Sequence, residues 1–173
     1  MLSAEARKLT RTAAVSILLA IPLSGCFQPM YGGPAGQALV EDFRAIKVEP
    51  IPDRIGHYLG NELSFLLNGS GSPVQPRYRL VIDVRQRVQA PLVDTVTGRA
   101  TSGMVIVDAD YRLLPVAGGP PVASGVAFTT ASYDRTSQRF ANLRASRDAE
   151  IRSARSLADQ IRTRIAADLS RRT

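Results

Sequence analysis

At 173 residues, 45% of them hydrophobic and 21% charged, the chain suits one compact domain with a core. Its single cysteine, Cys26, excludes an internal disulfide or a thiolate cluster, and its single histidine, His57, leaves too few ligands for zinc and no second base for a hydrolase. The formal net charge of +7 asks for an anionic partner or a self-neutralising surface.

The first element is a leader. Arg7, Lys8 and Arg11 precede an apolar stretch from Ala13 to Leu23, and the run closes Leu23, Ser24, Gly25, Cys26. A basic start, a short apolar stretch and small residues before a cut are the three parts of a secretory leader. The closing tetrad looks like a bacterial lipobox, in which a diacylglycerol joins the thiol and the chain is cut before the cysteine. Cys26 is therefore the expected lipidation site, carrying S-diacylglycerol and an N-acyl group. A plain membrane span fits less well, because about 20 apolar residues are needed to cross, and Pro22 and Gly25 interrupt a shorter segment. The expected division is a cleaved signal peptide over 1–25, a lipidated tether over 26–38 and a domain over 39–173. Phe27 follows the cysteine where an Asp would favour inner-membrane retention, which points to an anchor on the periplasmic side of the outer membrane.

After the tether, whose Gly32, Gly33, Pro34 and Gly36 read as a linker to Ala38, the alternation of Phe43 to Glu49 predicts a short strand ended by Pro50 and Pro52. Asp53 offers an N-cap. Ile55, Leu59, Leu63, Leu66 and Leu67 then recur at helical spacing over Arg54 to Asn68, with Gly69 as the stop; Gly60 allows close approach of the helix to a strand. A polar loop leads into the clearest strand. Tyr78, Leu80, Ile82 and Val84 fall on one face, and Arg77, Arg79, Asp83, Arg85 and Arg87 on the other, as in a sheet covered on one side. A turn around Thr97 and Gly98 separates it from a strand over Thr101 to Leu114, and Pro115 to Pro121 turns into a third over Ala123 to Tyr133. From about Phe140 the period becomes 3.6, with Ile151, Ala154, Ala158, Ile161, Ile165 and Leu169 on one stripe and Leu157 on its flank. The order β-α-β-β-β-α predicts an α+β two-layer sandwich: a mostly antiparallel four-stranded sheet with two helices on one face.

The charge is not evenly spread. From Cys26 to Gln138 ten basic residues balance ten acidic ones, whereas Arg139 to Thr173 holds nine arginines against Asp148, Glu150, Asp159 and Asp168. Arginine forks suit phosphates and carboxylates, and for an exported, tethered protein anionic lipid headgroups fit better than nucleic acid. The alternative is a solvated helix face laced by Asp148 with Arg152, Arg155 with Asp159 and Asp168 with Arg172, each four apart. Asp108 and Asp110, two apart on one strand face, could serve as an acid and base or hold a cation, or simply meet basic residues of the neighbouring strand. With no nucleophile elbow, phosphate-cradling loop or metal-ligand spacing, no catalytic residue, metal or cofactor is indicated.

The run Cys26, Phe27, Gln28, Pro29, Met30, Tyr31, Gly32 resembles the start of mature lipoproteins of the LptE lipopolysaccharide-assembly family, where Cys-Gly-Phe-x-Pro-Leu-Tyr-Gly follows the lipobox. The glycine after the cysteine is missing here and Met30 replaces the leucine. Thr136, Ser137, Gln138, Arg139, Phe140, Ala141, Asn142, then Asp148 and Ala149, then Leu157, Ala158, Asp159 and Ile161 are a second similarity. The resemblance implies a non-enzymatic outer-membrane lipoprotein that sits partly inside the LptD β-barrel, helps assemble it and passes lipopolysaccharide to the outer leaflet. By motif only Cys26 carries over. Arg85, Arg87 and Arg99, near one end of the first hairpin, are the candidate lipopolysaccharide or partner contacts, with a solvated strand face as the alternative. An auxiliary lipoprotein of an inner-membrane ABC-type lipid-transport complex and a tethered enzyme are the other readings open to such a chain.

Overall fold

In the computed structural model, residues 33–69, 74–92, 95–96 and 98–171 are described. Cys26, the leader and the tether up to residue 32 lie outside them. The elements run α1 (Gly33–Arg44), β1 (Ile46–Val48), α2 (Asp53–Asn68), β2 (Tyr78–Gln89), β3 (Ser102–Pro115), β4 (Ala123–Asp134) and α3 (Arg139–Ser170).

The four strands form one sheet in the order β1-β2-β3-β4. It is mixed, which corrects the expectation of a mostly antiparallel sheet. β1 runs parallel to β2, with Ile46 opposite Tyr78 and Val48 opposite Leu80, whereas β2, β3 and β4 form an antiparallel meander. The cause is α2. A helical crossover returns the chain to the end of the sheet from which it started, so the next strand points the same way.

A second correction concerns the helices, of which three are seen where two were expected. The linker reading to Ala38 gives way to α1, whose Leu39 and Phe43, four apart, are both buried. Pro34 sits in its first turn, where the missing N–H costs nothing. Phe43 therefore belongs to α1, and β1 shrinks to three residues.

The core lies between the helices and one sheet face. Leu80, Ile82, Val105, Val107, Tyr111 and Leu113 meet Ile55, Leu59, Leu63 and Leu67 of α2 and Leu157, Ile161 and Ile165 of α3. Ala109 and Ala127 on the sheet face Ala149, Ala154, Ala158 and Ala166 on α3. Short side chains on both surfaces bring helix and strands close. Two glycines of the β3–β4 pair make room for tyrosines: Tyr133 lies over Gly103 and Tyr111 over Gly125, each directly opposite its glycine in the register. Burial pushes the Tyr111 phenol above its usual range, against the opposing influence of Arg164.

Gly69 closes α2 as the sequence suggests, with φ 57° and its N–H donating to the Phe65 carbonyl at 2.7 Å. Its start differs. Pro52 holds the cap position without a side-chain cap bond, and Asp53 is the first helical residue, in the left-handed region at φ 67°. Asp tolerates that region better than most side chains. The glycine that permits close approach is Gly56, not Gly60: a Cβ there would lie 2.7 to 2.9 Å from Ile51 side-chain and backbone atoms.

Glu150 is the one buried charged side chain among the described residues, 2% exposed on the apolar stripe of α3. Arg54 grips it with a two-pronged fork, Nε to Oε2 at 2.7 Å and Nη2 to Oε1 at 2.6 Å, and Gln86 donates to Oε1 at 3.2 Å. Desolvation pushes this carboxyl up. The bonds from Arg54 and Gln86, with the charges of Arg54 and Arg147, outweigh it and hold the group below the usual carboxylate range. One carboxylate thereby ties α3 to α2 and β2.

Candidate functional site

The second sheet face is open to water, and its centre is a charge ladder. Arg85 and Asp108 stand directly opposite, as do Asp83 and Asp110. The ion pairs run diagonally, Arg85 to Asp110 and Arg87 to Asp108, the latter at 2.8 Å. The diagonal arrangement relieves one of the two facing aspartates: Asp110 gains the Arg85 cation, while Asp83 makes no ion pair among the described residues. Asp108 and Asp110 thus serve their strand neighbours, and Arg85 and Arg87 have their charge offset.

Arg99 is placed elsewhere. It lines a cavity of about 380 Å³ with Arg135 and Arg139, around the turn from β4 into α3; neither Arg85 nor Arg87 borders it. Arg99, Arg135 and Arg139 make no ion pair among the described residues. Here three cations line one cavity with no carboxylate among its described lining residues, at the N-terminal end of a 32-residue helix whose first turn contains no acidic residue. The four leading N–H groups of a helix and its dipole favour an anion at that end.

The turn is braced by its own side chains. Asn142 accepts from the Thr136 N–H at 2.7 Å and donates to the Thr136 carbonyl at 2.9 Å, while the Thr136 hydroxyl accepts from the Gln138 N–H at 3.2 Å. Beside the arginines a second cavity of about 460 Å³ includes Phe140 and Leu143, both exposed, Phe140 at 73%. Charge and apolar surface lie side by side, which suits an amphiphile bearing phosphate or carboxylate.

Sequence reasoning found Arg99 and missed Arg135 and Arg139. The available signal was their position: one precedes and the other lies within the Thr136–Asn142 run. Much of the remaining arginine excess of α3 is taken up by the fold. Arg152 pairs with Asp148 at 3.4 Å as the spacing suggests, but Arg155 reaches Glu62 on α2 at 4.0 Å instead of Asp159, and Asp168 pairs with Arg171. Arg162 stacks 5.7 Å over the Phe43 ring. His57 is exposed on α2, 3.1 Å from the Asn61 amide. No cluster of three metal-ligating side chains and no helix able to cross a membrane occurs among the described residues.

The fold, with α2 and α3 backing one face of a mixed four-stranded sheet and the other face wet, is shared by solved bacterial lipoproteins. A Caulobacter crescentus protein assigned as a lipoprotein superposes with a TM-score of 0.64 at 24% identity, covering 78% of this chain and 97% of that one. A minor lipoprotein of Acinetobacter baumannii gives 0.55 at 18% identity, covering 72% and 91%. Lipoprotein B of Nitrosomonas europaea gives 0.51 at 15%, covering 72% and 82%. No curated protein matches by sequence. The family model for LptE, described as lipopolysaccharide-assembly, matches residues 43–165, and the chain belongs to that family. Membership brings a role in lipopolysaccharide assembly, in association with the lipopolysaccharide-transport machinery, within a family of non-catalytic, membrane-associated lipoproteins.

Proposed function

We propose that this protein is an outer-membrane lipoprotein, anchored through acylated Cys26 on the periplasmic side, that helps assemble and plug an LptD-type β-barrel and hands lipopolysaccharide to the outer leaflet. The observation that carries the lipopolysaccharide contact is the convergence of Arg99, Arg135 and Arg139, without ion pairs among the described residues, on the N-terminal end of α3 beside exposed Phe140. Phosphates of the lipid engage the guanidinium forks and the helix end, and the apolar rim takes the adjoining methylenes. Arg85 and Arg87 act as a secondary contact, since each must first release an aspartate.

Two measurements test this reading. Affinity purification of the full chain from outer-membrane extract should bring down a large β-barrel in stoichiometric amount; recovery of an inner-membrane ABC-type complex instead refutes the barrel partner. Lipopolysaccharide binding by the Arg99→Ala, Arg135→Ala, Arg139→Ala triple variant should fall well below that of Arg85→Ala, Arg87→Ala. Equal losses would remove the assignment of the primary contact to the α3 end.

A further inference from the structure

β4 is a twelve-residue strand at the edge of the sheet. From Ala123 to Tyr133 it carries no charge and no proline, and Val126 and Phe128 on its open face are about half exposed. In its own sequence such a strand lacks the charges and prolines by which edges resist pairing with another chain. Its unpaired backbone groups belong to the even-numbered residues, because the N–H and C=O of one residue in an antiparallel strand point the same way. Arg135 N–H, two residues beyond Tyr133, donates inward to the Thr101 carbonyl, which fixes that parity.

Three side chains of α3 reach around this edge. Arg152 Nη2 donates to the Ser132 carbonyl at 3.0 Å, Gln160 Nε2 to the Phe128 carbonyl at 3.1 Å, and Arg164 Nη1 to the Val126 carbonyl. Of the six outward carbonyls, 124 to 134, those of 126, 128 and 132 each have a side-chain donor, and that of Thr130, flanked by two of them, has none among the described residues. It borders a cavity of about 360 Å³ between β4 and α3. The charges that β4 lacks are thus supplied by the neighbouring helix, spaced so that each meets an outward carbonyl.

We propose that Arg152, Gln160 and Arg164 are an edge guard, and that the surface they occupy is a strand-pairing site for the β4 of a second copy of this chain. With the guard in place three of the four carbonyls from 126 to 132 are taken, and Arg164 sets positive charge along the edge, whereas the charge of Arg152 is shared with Asp148. Without it, two β4 strands join antiparallel about a two-fold axis, which pairs their outward groups and covers Val126 and Phe128 at the seam.

The test is sedimentation of the full chain in mild detergent over a range of concentrations. The Arg152→Ala, Gln160→Ala, Arg164→Ala variant should keep its circular dichroism and shift from monomer to dimer. Each donor removed should lower the half-association concentration about a hundredfold, the worth of two such hydrogen bonds, one on each copy. Adding Thr130→Lys, which sets a charge at the middle of the edge, should restore the monomer. A folded triple variant that stays monomeric overturns the proposal, and so does association that survives Thr130→Lys. If the triple variant does not fold, Arg164→Ala alone opens the Val126 carbonyl and should show the same trend at higher concentration; a monomer throughout refutes the guard equally.

Discussion

Replacing Arg54 by Met should be far more damaging than replacing Glu150 by Gln, although both break the same ion pair. Arg54 is 53% exposed and returns to water when its partner is neutralised, and Gln at 150 still accepts from Gln86. The cost of Glu150→Gln is then that of weakened hydrogen bonds, about 1 kcal/mol. Arg54→Met instead strands a carboxylate that is 2% exposed, with one bond of 3.2 Å remaining. Losing one partner of a buried pair costs about 3–5 kcal/mol. Protonation sets a ceiling: from an ordinary value of 4.5, capturing a proton at pH 7 costs about 3.5 kcal/mol at ~1.4 kcal/mol per pH unit. The expected loss at pH 7 is therefore about 3 kcal/mol, and the double variant should be more stable than Arg54→Met alone. The pH dependence reverses as well. In the parent, the carboxyl held below its unfolded value contributes stability above that value, which is lost as pH falls through the lower, folded one. In Arg54→Met the stranded acid titrates higher in the folded state, so acidification from pH 7 to 5 narrows the gap to the parent. Urea unfolding followed by circular dichroism at both pH values measures this. Equal costs for the two substitutions, or a gap that does not narrow, would refute the account of Glu150 as a gripped buried anion.

Gly56→Ala should destabilise by about 1–3 kcal/mol, because its Cβ meets backbone as well as side-chain atoms of Ile51. Gly60→Ala, whose Cβ has only Ile51 Cδ1 at 3.8 Å, should stabilise by about 0.5–1 kcal/mol; the same urea titration separates them. Asn142→Ala removes two of the three bonds that brace the Thr136 turn and should weaken lipopolysaccharide binding with little change in the unfolding midpoint, since the turn is exposed. Loss of stability without loss of binding would assign Asn142 to the fold alone.

The alternation of β2 and the 3.6-residue stripe of α3 were legible because each buries one face against a single partner surface. The parallel β1–β2 pair was implicit in the β-α-β order, since a helix between neighbouring strands reverses the chain twice. α1 escaped because two apolar residues, Leu39 and Phe43, suffice to dock a short helix at an edge, while the glycines and proline before them carry a linker's composition. Glu150 escaped for the opposite reason. It lies on the stripe, four residues before Ala154 and seven before Leu157, but its burial depends on Arg54, 96 residues away, which no local pattern reports. Ile151, assigned to the stripe, sits at its margin, and the carboxylate occupies the interior position.

The arginines divide by what the fold gives them to do. Those facing α2 and β4 are consumed: Arg155 reaches Glu62, and Arg152 and Arg164 cap strand carbonyls. At the first turn of α3 the last strand has ended and Arg139 makes no ion pair among the described residues, and Arg135 and Arg99 enter from the two adjoining connections. A net charge summed over the chain therefore says little about where an anion binds. The informative quantity is where cations left without an ion pair among the described residues converge, and Arg99, Arg135 and Arg139 do so at one pole of the module, where the helix dipole adds to them and Phe140 stands exposed.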